Sequence, residues 1–220
     1  MGCGSTPIAG GQLGDIRLVD ASAADPRLQT TVFEVACDVT NPLLGPTGAA
    51  AIYGPQKGAT AEQVSRLDKG LAHLAALIPE ADPSTPGVGA AGGLGFGLVA
   101  FCGARLRRGV ELVLDAVNFE QLLAGADLVI TGEGRLDGQS IQGKTCIGVA
   151  QAAARHNVPT VALVGSSGAN AERTLKHGLT AYRAICDSGV PVAEAISNGP
   201  HYMEQLAQQA FSDWREHGLR

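Results

Sequence analysis

Apolar residues recur along this chain with two different periods, and the change of period divides it. Val64, Leu67, Leu71, Leu74 and Ile78 follow one another at steps of three and four, so they share one stripe of a helix. Thr60, with Gln63 three residues on, is the capping-box arrangement that starts such a helix. Pro79 and the prolines of 83–86 end it. His73 lies beside the stripe and reads as structural or solvated, because nothing near it in sequence offers a partner. Upstream, Thr31, Val32, Phe33 and Val35 predict a strand over 31–36. Residues 1–30 hold only a Gly10-Gly11 turn and a short apolar stretch at 16–19. Downstream, glycine-dense 87–97 passes into an apolar, helical segment ending near 105–109, and a further helix is expected from Asn118 to a stop at Gly125.

The second half sets the fold class. Residues 126–131 read as a buried strand, 145–156 as a helix of small residues and 160–164 as another strand. Such a βαβ unit builds a parallel sheet covered by helices. A helix stopping at His177-Gly178 and a short strand over 181–185 follow. The last helix, 201–217, turns Met203, Leu206, Ala210 and Trp214 to one side before Gly218. No repeat or low-complexity tract occurs.

Composition narrows the function. Among 220 residues 45% are apolar and 17% charged, enough for a sizeable core, and the 30 glycines imply many tight turns. A net charge of −5 argues against nucleic acid as the partner, so an anionic ligand needs a locally basic or metal-assisted site. No apolar run is long enough to span a membrane. The five cysteines are scattered and never spaced C-x-x-C, which reads as reduced thiols in a cytoplasmic protein.

Candidate chemistry falls in three places. In an open parallel sheet ligands bind at the carboxyl ends of strands, which singles out Gly132-Glu133-Gly134-Arg135-Leu136-Asp137 and the residues to Thr145. Two carboxylates, an arginine, Lys144 and several glycines there suit phosphoryl transfer. Glycine backbone admits phosphate oxygens, cations offset their charge, and carboxylates hold Mg²⁺ or accept a hydroxyl proton. A solvated connector is the bland alternative. Gly138 to Thr145 also spells G-x-x-x-x-G-K-[ST], the phosphate-binding P-loop pattern, but six residues separate the expected strand end at Thr131 from Gly138. The second place is Asp38 and Asn41 with Lys57 downstream, where the alternative is that Asp38 and Asn41 only close turns. The third is Gly92, Gly93 and Gly95, which suit anion binding at a helix start or close packing of small residues.

Four motifs in this order, CDVTNPL, GPQKGA, GAAGGLG and DLVITGEGRLD, resemble the bacterial-type, class I D-glycerate kinases, over about residues 20–185. The resemblance implies a two-domain α/β kinase that transfers the ATP γ-phosphoryl group to D-glycerate with Mg²⁺, at the 2-hydroxyl in preference to the 3-hydroxyl. It implies a Rossmann- or flavodoxin-like domain with a second α/β domain inserted. Residues 1–110 would be the later part of the insert and 111–220 the returning half of the Rossmann-like sheet. In that setting Asp38, Asp137 and Glu133 are the catalytic carboxylates, with Glu133 and Asp137 toward Mg²⁺. Arg135, Asn41 and Lys57 face substrate. Gly92, Gly93, Gly95, Gly132, Gly134 and Lys144 face nucleotide phosphates. The family's long amino-terminal stretch, with a lysine-bearing turn and a GGSATNDGG-like loop, is not in this sequence, so the expectation is a carboxyl-terminal portion. Gly138 stands where the family has serine, which makes the P-loop spelling a coincidence of that change. A truncated non-catalytic homologue and a P-loop-like nucleotide domain are the rivals, and a homodimer is one assembly the sequence allows.

Overall fold

In the computed structural model, which describes residues 8–142 and 145–217, the chain divides into two compact units, Met1–Gly109 and Val110–Arg220. The first contains β1 (Glu34–Ala36), α1 (Ala49–Tyr53), α2 (Ala61–Ala76), α3 (Ala90–Cys102) and β2 (Arg105–Arg107). The capping box forms as its spelling requires. Thr60 Oγ1 accepts from the Gln63 N–H, and Gln63 Oε1 accepts from the Thr60 N–H at 2.8 Å. Leu71 and Ile78 of the α2 stripe are buried with Leu43, Val88 and Phe96, while Val64, Leu67 and Leu74 pack against them. His73 does have a partner: its Nε2 lies 2.6 Å from the Ile16 carbonyl, so Nε2 carries the proton and donates.

Two expectations change in this unit. The strand over 31–36 forms only at Glu34–Ala36, because its parallel partner β2 is itself three residues long. The sequence pattern puts that partner at the end of a helical segment. The helix stops at Cys102 because Gly103 takes a left-handed conformation (φ 62°), and Arg105-Leu106-Arg107 then pairs with β1.

The second unit runs α4 (Gly109–Ala116), α5 (Phe119–Leu122), β3 (Val129–Leu136), α6 (Thr145–Arg155), β4 (Thr160–Ser167), β5 (Ala181–Ala184), α7 (Val192–Ser197) and α8 (Gly199–His217). The strands form one parallel sheet in the order β3-β4-β5. β4 is covered on both faces, which explains its unbroken apolar run. Ala162 and Val164 pack with Cys146, Ile147 and Ala150 of α6. Val161 and Leu163 pack with Met203, Leu206 and Ala210 of α8, three of the four positions its stripe predicted. Helices α4 and α7 are additions to the sequence reading, and the segment expected as a helix before Gly178 is a 3₁₀ helix, Ala171–His177.

The correction that matters most concerns β3. Expected over 126–131, it begins at Val129 and continues through Gly-Glu-Gly-Arg to Leu136, paired with β4 as far as Ser167. Glycines argue against a strand on propensity. Here they allow an approach that a side chain would block: a Cβ on Gly132 would lie 2.6 Å from the Leu163 carbonyl oxygen, and one on Gly165 would lie 2.7 Å from that of Gly134.

Candidate functional site

Because β3 is longer than its sequence suggests, Glu133 and Arg135 stand on a strand, two residues apart and on the same face, and Asp137 directly follows the strand end. Ser140 joins them. It is fully buried; its hydroxyl donates to Glu133 Oε1 at 2.6 Å and accepts from the Asp137 N–H at 3.2 Å. Asp137 Oδ1 accepts from the Gln139 N–H at 2.8 Å, and its Oδ2 lies 3.3 Å from Arg135 Nε. The Arg135 guanidinium is two-thirds exposed and crosses Gly168, where a Cβ would come within 2.8 Å of it. Sequence reasoning passed over both Ser140 and Gly168. A serine three residues beyond an aspartate in a tight turn was the available signal for the first.

Glu133, Arg135, Gly132 and Gly134 line a cavity of about 930 Å³, whose other walls include Ser166, Ile185 and Met203. Behind the strand, Cys146 is buried, and burial together with the Glu133 charge pushes its thiol pKa up to about 12, partly offset by the Thr131 hydroxyl. A thiol so held stays protonated and is no nucleophile.

The P-loop spelling meets a different objection from the one raised by sequence. β3 ends at Leu136, next to Asp137-Gly138, so the strand is not too far away. Three of its backbone donors among the described residues are already spent, however. Gly138 N–H goes to the Ala169 carbonyl at 3.0 Å, Gln139 N–H to the Asp137 carboxylate and Ser140 N–H to the Asp137 carbonyl at 3.0 Å. A phosphate cradle needs those groups turned outward. Lys144 lies outside the described residues.

In the first unit the candidate residues separate. Asp38 Oδ1 accepts from the Gly109 N–H at 2.8 Å, at the last residue of the first unit. Both ends of the Asn41 amide are engaged: Nδ2 donates to the Thr47 carbonyl at 2.8 Å, and Oδ1 accepts from the Tyr53 hydroxyl at 2.9 Å. Gly95 is a packing glycine, since a Cβ there would sit 2.8 Å from the Gly87 carbonyl oxygen. Gly93 backs onto Leu43 and Leu71. Gly92 is open, and with Lys57 it lines a single cavity of about 830 Å³. Two motifs thirty-odd residues apart in sequence thus meet in one place.

A parallel sheet between helices, with carboxylates and an arginine gathered where its first strand ends, defines an α/β protein with its candidate site at the carboxyl end of a strand. The family model described as Glycerate kinase family matches residues 4–215, and the chain belongs to that family. It is 47% identical over 213 residues to the glycerate kinase of Halalkalibacterium halodurans, covering 94% of this chain and 56% of that one. With the glycerate 2-kinase of Escherichia coli K12 it shares 45% identity over 191 residues, 85% of this chain and 50% of that one. The solved structure described as glycerate kinase 2 from Salmonella typhimurium LT2 superimposes with a TM-score of 0.66 at 50% identity, over 80% of this chain and 45% of the other. The chain therefore spans about half the length of the curated relatives it matches. No helix among the described residues is long and apolar enough to cross a membrane.

Proposed function

We propose that this chain serves the phosphorylation of D-glycerate by ATP, with the β3 end as its chemical centre and 2-phosphoglycerate as the product. The observation that carries the reading is the Glu133–Ser140–Asp137–Arg135 cluster, formed in a chain whose relatives are named glycerate kinases. The relative named glycerate 2-kinase favours the 2-hydroxyl.

Phosphoryl transfer asks a protein mainly to position groups and to balance charge. Asp137 and Glu133 offer carboxylate oxygens beside each other through Ser140. One orients the glycerate hydroxyl and accepts its proton. Together they are hard oxygen donors of the kind Mg²⁺ takes one or two of, completing its shell with water and phosphate oxygens. No group of three or more His, Cys, Asp or Glu among the described residues could cage a metal, which suits an ion shared with the nucleotide. Bound Mg²⁺ would offset charge on the phosphates. Arg135, exposed and paired with Asp137, takes the glycerate carboxylate in this reading, through two parallel hydrogen bonds. In this reading Asp38 and Asn41, with side chains engaged in the frame of the first unit, hold that unit's own fold. The domain reading, insert followed by returning Rossmann-like half, belongs to the same proposal.

The test is an ADP-release assay dependent on D-glycerate. It is run on this chain and on a hybrid in which the chain replaces the matching 213 residues of the Halalkalibacterium halodurans relative. Turnover by the hybrid, with 2-phosphoglycerate seen by ³¹P NMR, is expected. A folded hybrid that binds ATP yet releases no ADP with glycerate sinks the reading.

A further inference from the structure

Four charged or hydroxyl-bearing side chains line the cavity of about 930 Å³ at the β3 end: Thr131, Glu133, Arg135 and Ser166. The first three are engaged. Thr131 Oγ1 lies 3.9 Å from Cys146 Sγ, Glu133 accepts from the Ser140 hydroxyl, and Arg135 is paired with Asp137. The Ser166 hydroxyl meets no hydrogen-bond partner among the described residues.

Its neighbours over 165–168 each answer a local demand. Gly165 lets the chain pass the Gly134 carbonyl oxygen, which a Cβ would approach to 2.7 Å, and Gly168 makes room for the Arg135 guanidinium. Ser167 Oγ donates to Asp187 Oδ1 at 2.6 Å, which ties the end of β4 to the 3₁₀ turn after β5. Only the polarity of Ser166 has no use within the fold. Its position supplies one. Ser166 is the register partner of Arg135 on β4, and adjacent strands run about 4.8 Å apart. The hydroxyl therefore stands at the carboxyl end of the sheet, where parallel sheets bind their ligands, in reach of a small molecule held by Arg135.

The stereochemistry of glycerate gives such a hydroxyl a task. In the kinase reading, on which this inference rests, Arg135 takes the carboxylate and the Glu133–Asp137 pair takes the 2-hydroxyl. With two substituents of the central carbon fixed, mirror-image acids differ only in exchanging its hydrogen and its hydroxymethyl group. Two contacts cannot tell D- from L-glycerate, and a third is needed. Serine suits it, because a hydroxyl both donates and accepts and so matches an alcohol in either sense. Wall residues such as Ile185, Ile196 and Met203 offer that alcohol no comparable partner.

We propose that Ser166 is a specificity-determining residue that holds the 3-hydroxyl of D-glycerate. The experiment compares the parent with Ser166→Ala, in the intact chain and in the hybrid, using D-glycerate, L-glycerate and D-lactate as acceptors. D-Lactate keeps the carboxylate and the 2-hydroxyl and carries a methyl group in place of the hydroxymethyl. In Ser166→Ala, kcat/KM with D-glycerate should fall about tenfold, the loss of a hydrogen bond that leaves a substrate hydroxyl unpaired. The preference for D-glycerate over both other acids should shrink by about the same factor, because neither offers a 3-hydroxyl at that place. A value with D-glycerate within about twofold of the parent's overturns the proposal. An equal fall for every acceptor overturns it as well, since that marks a structural role. So does a parent that turns over D-lactate as readily as D-glycerate. If the parent hybrid releases no ADP with D-glycerate, the kinase reading falls and this proposal with it. An active parent with an unaffected Ser166→Ala removes this proposal alone.

Discussion

Asp137 holds its carboxylate between a backbone N–H and Arg135, with about a fifth of its side chain exposed. An acceptor held that way is ready to meet a hydroxyl without reorganising. Positioned acid–base groups contribute about 10²–10⁴-fold to rate, so Asp137→Ala in the hybrid should lower turnover at least about a hundredfold with the melting temperature little changed. Near-parental turnover would remove Asp137 from the chemistry. Ser140 makes a different prediction. Its hydroxyl is buried and serves Glu133 and Asp137 at once. Ser140→Ala leaves Glu133 without its donor, at a cost of about 1–3 kcal/mol, read as a lower midpoint in urea with unchanged slope. A stability equal to the parent's would mean that water replaces the hydroxyl.

Helix α2 shows an element specified entirely by local signals. Its cap, its stripe and its stop are all visible in the chain, and each residue of the stripe reaches the core of the first unit. Thr60→Ala should cost about 1 kcal/mol, seen as a lower thermal midpoint; a neutral substitution would show that tertiary packing alone holds the helix start. β3 is the opposite case. Its second half is glycine and charge, which no local propensity favours in a strand, and the pairing with β4 overrides that preference. For the same reason the site was legible in its residue types and not in its geometry. Glu133, Arg135 and Asp137 stood out as charges beside glycines. That Glu133 and Arg135 lie on a strand, and that Ser140 links the carboxylates, follows from the register with β4 and the turn after it. The meeting of Lys57 with Gly92 was equally hidden, because it depends on how α1, α2 and α3 pack.

Whole-molecule stability carries one trace of the site in its pH dependence. Cys146 is fully enclosed by the core of the second unit, beneath Glu133, and its thiol pKa is raised from 9.0 to about 12. In the unfolded chain the thiol loses its proton near 9, whereas the folded protein keeps it until about 12. Between those values the native state binds the extra proton, so the stability of folding falls as pH rises. Below the ordinary thiol value both states are protonated and the residue gives no pH dependence. The fall is at most about 1.4 kcal/mol per pH unit. Lysines and tyrosines also titrate there, so the comparison must be with Cys146→Ser, which keeps the branching, is slightly smaller and does not ionise in this range. Urea melts at a series of pH values from about 8.5 to 11 should show the parent losing stability faster than Cys146→Ser, with the two curves parallel below the thiol's ordinary pKa. Curves parallel throughout would mean that Cys146 ionises as freely in the fold as in the unfolded chain, and that the ground under Glu133 is wet.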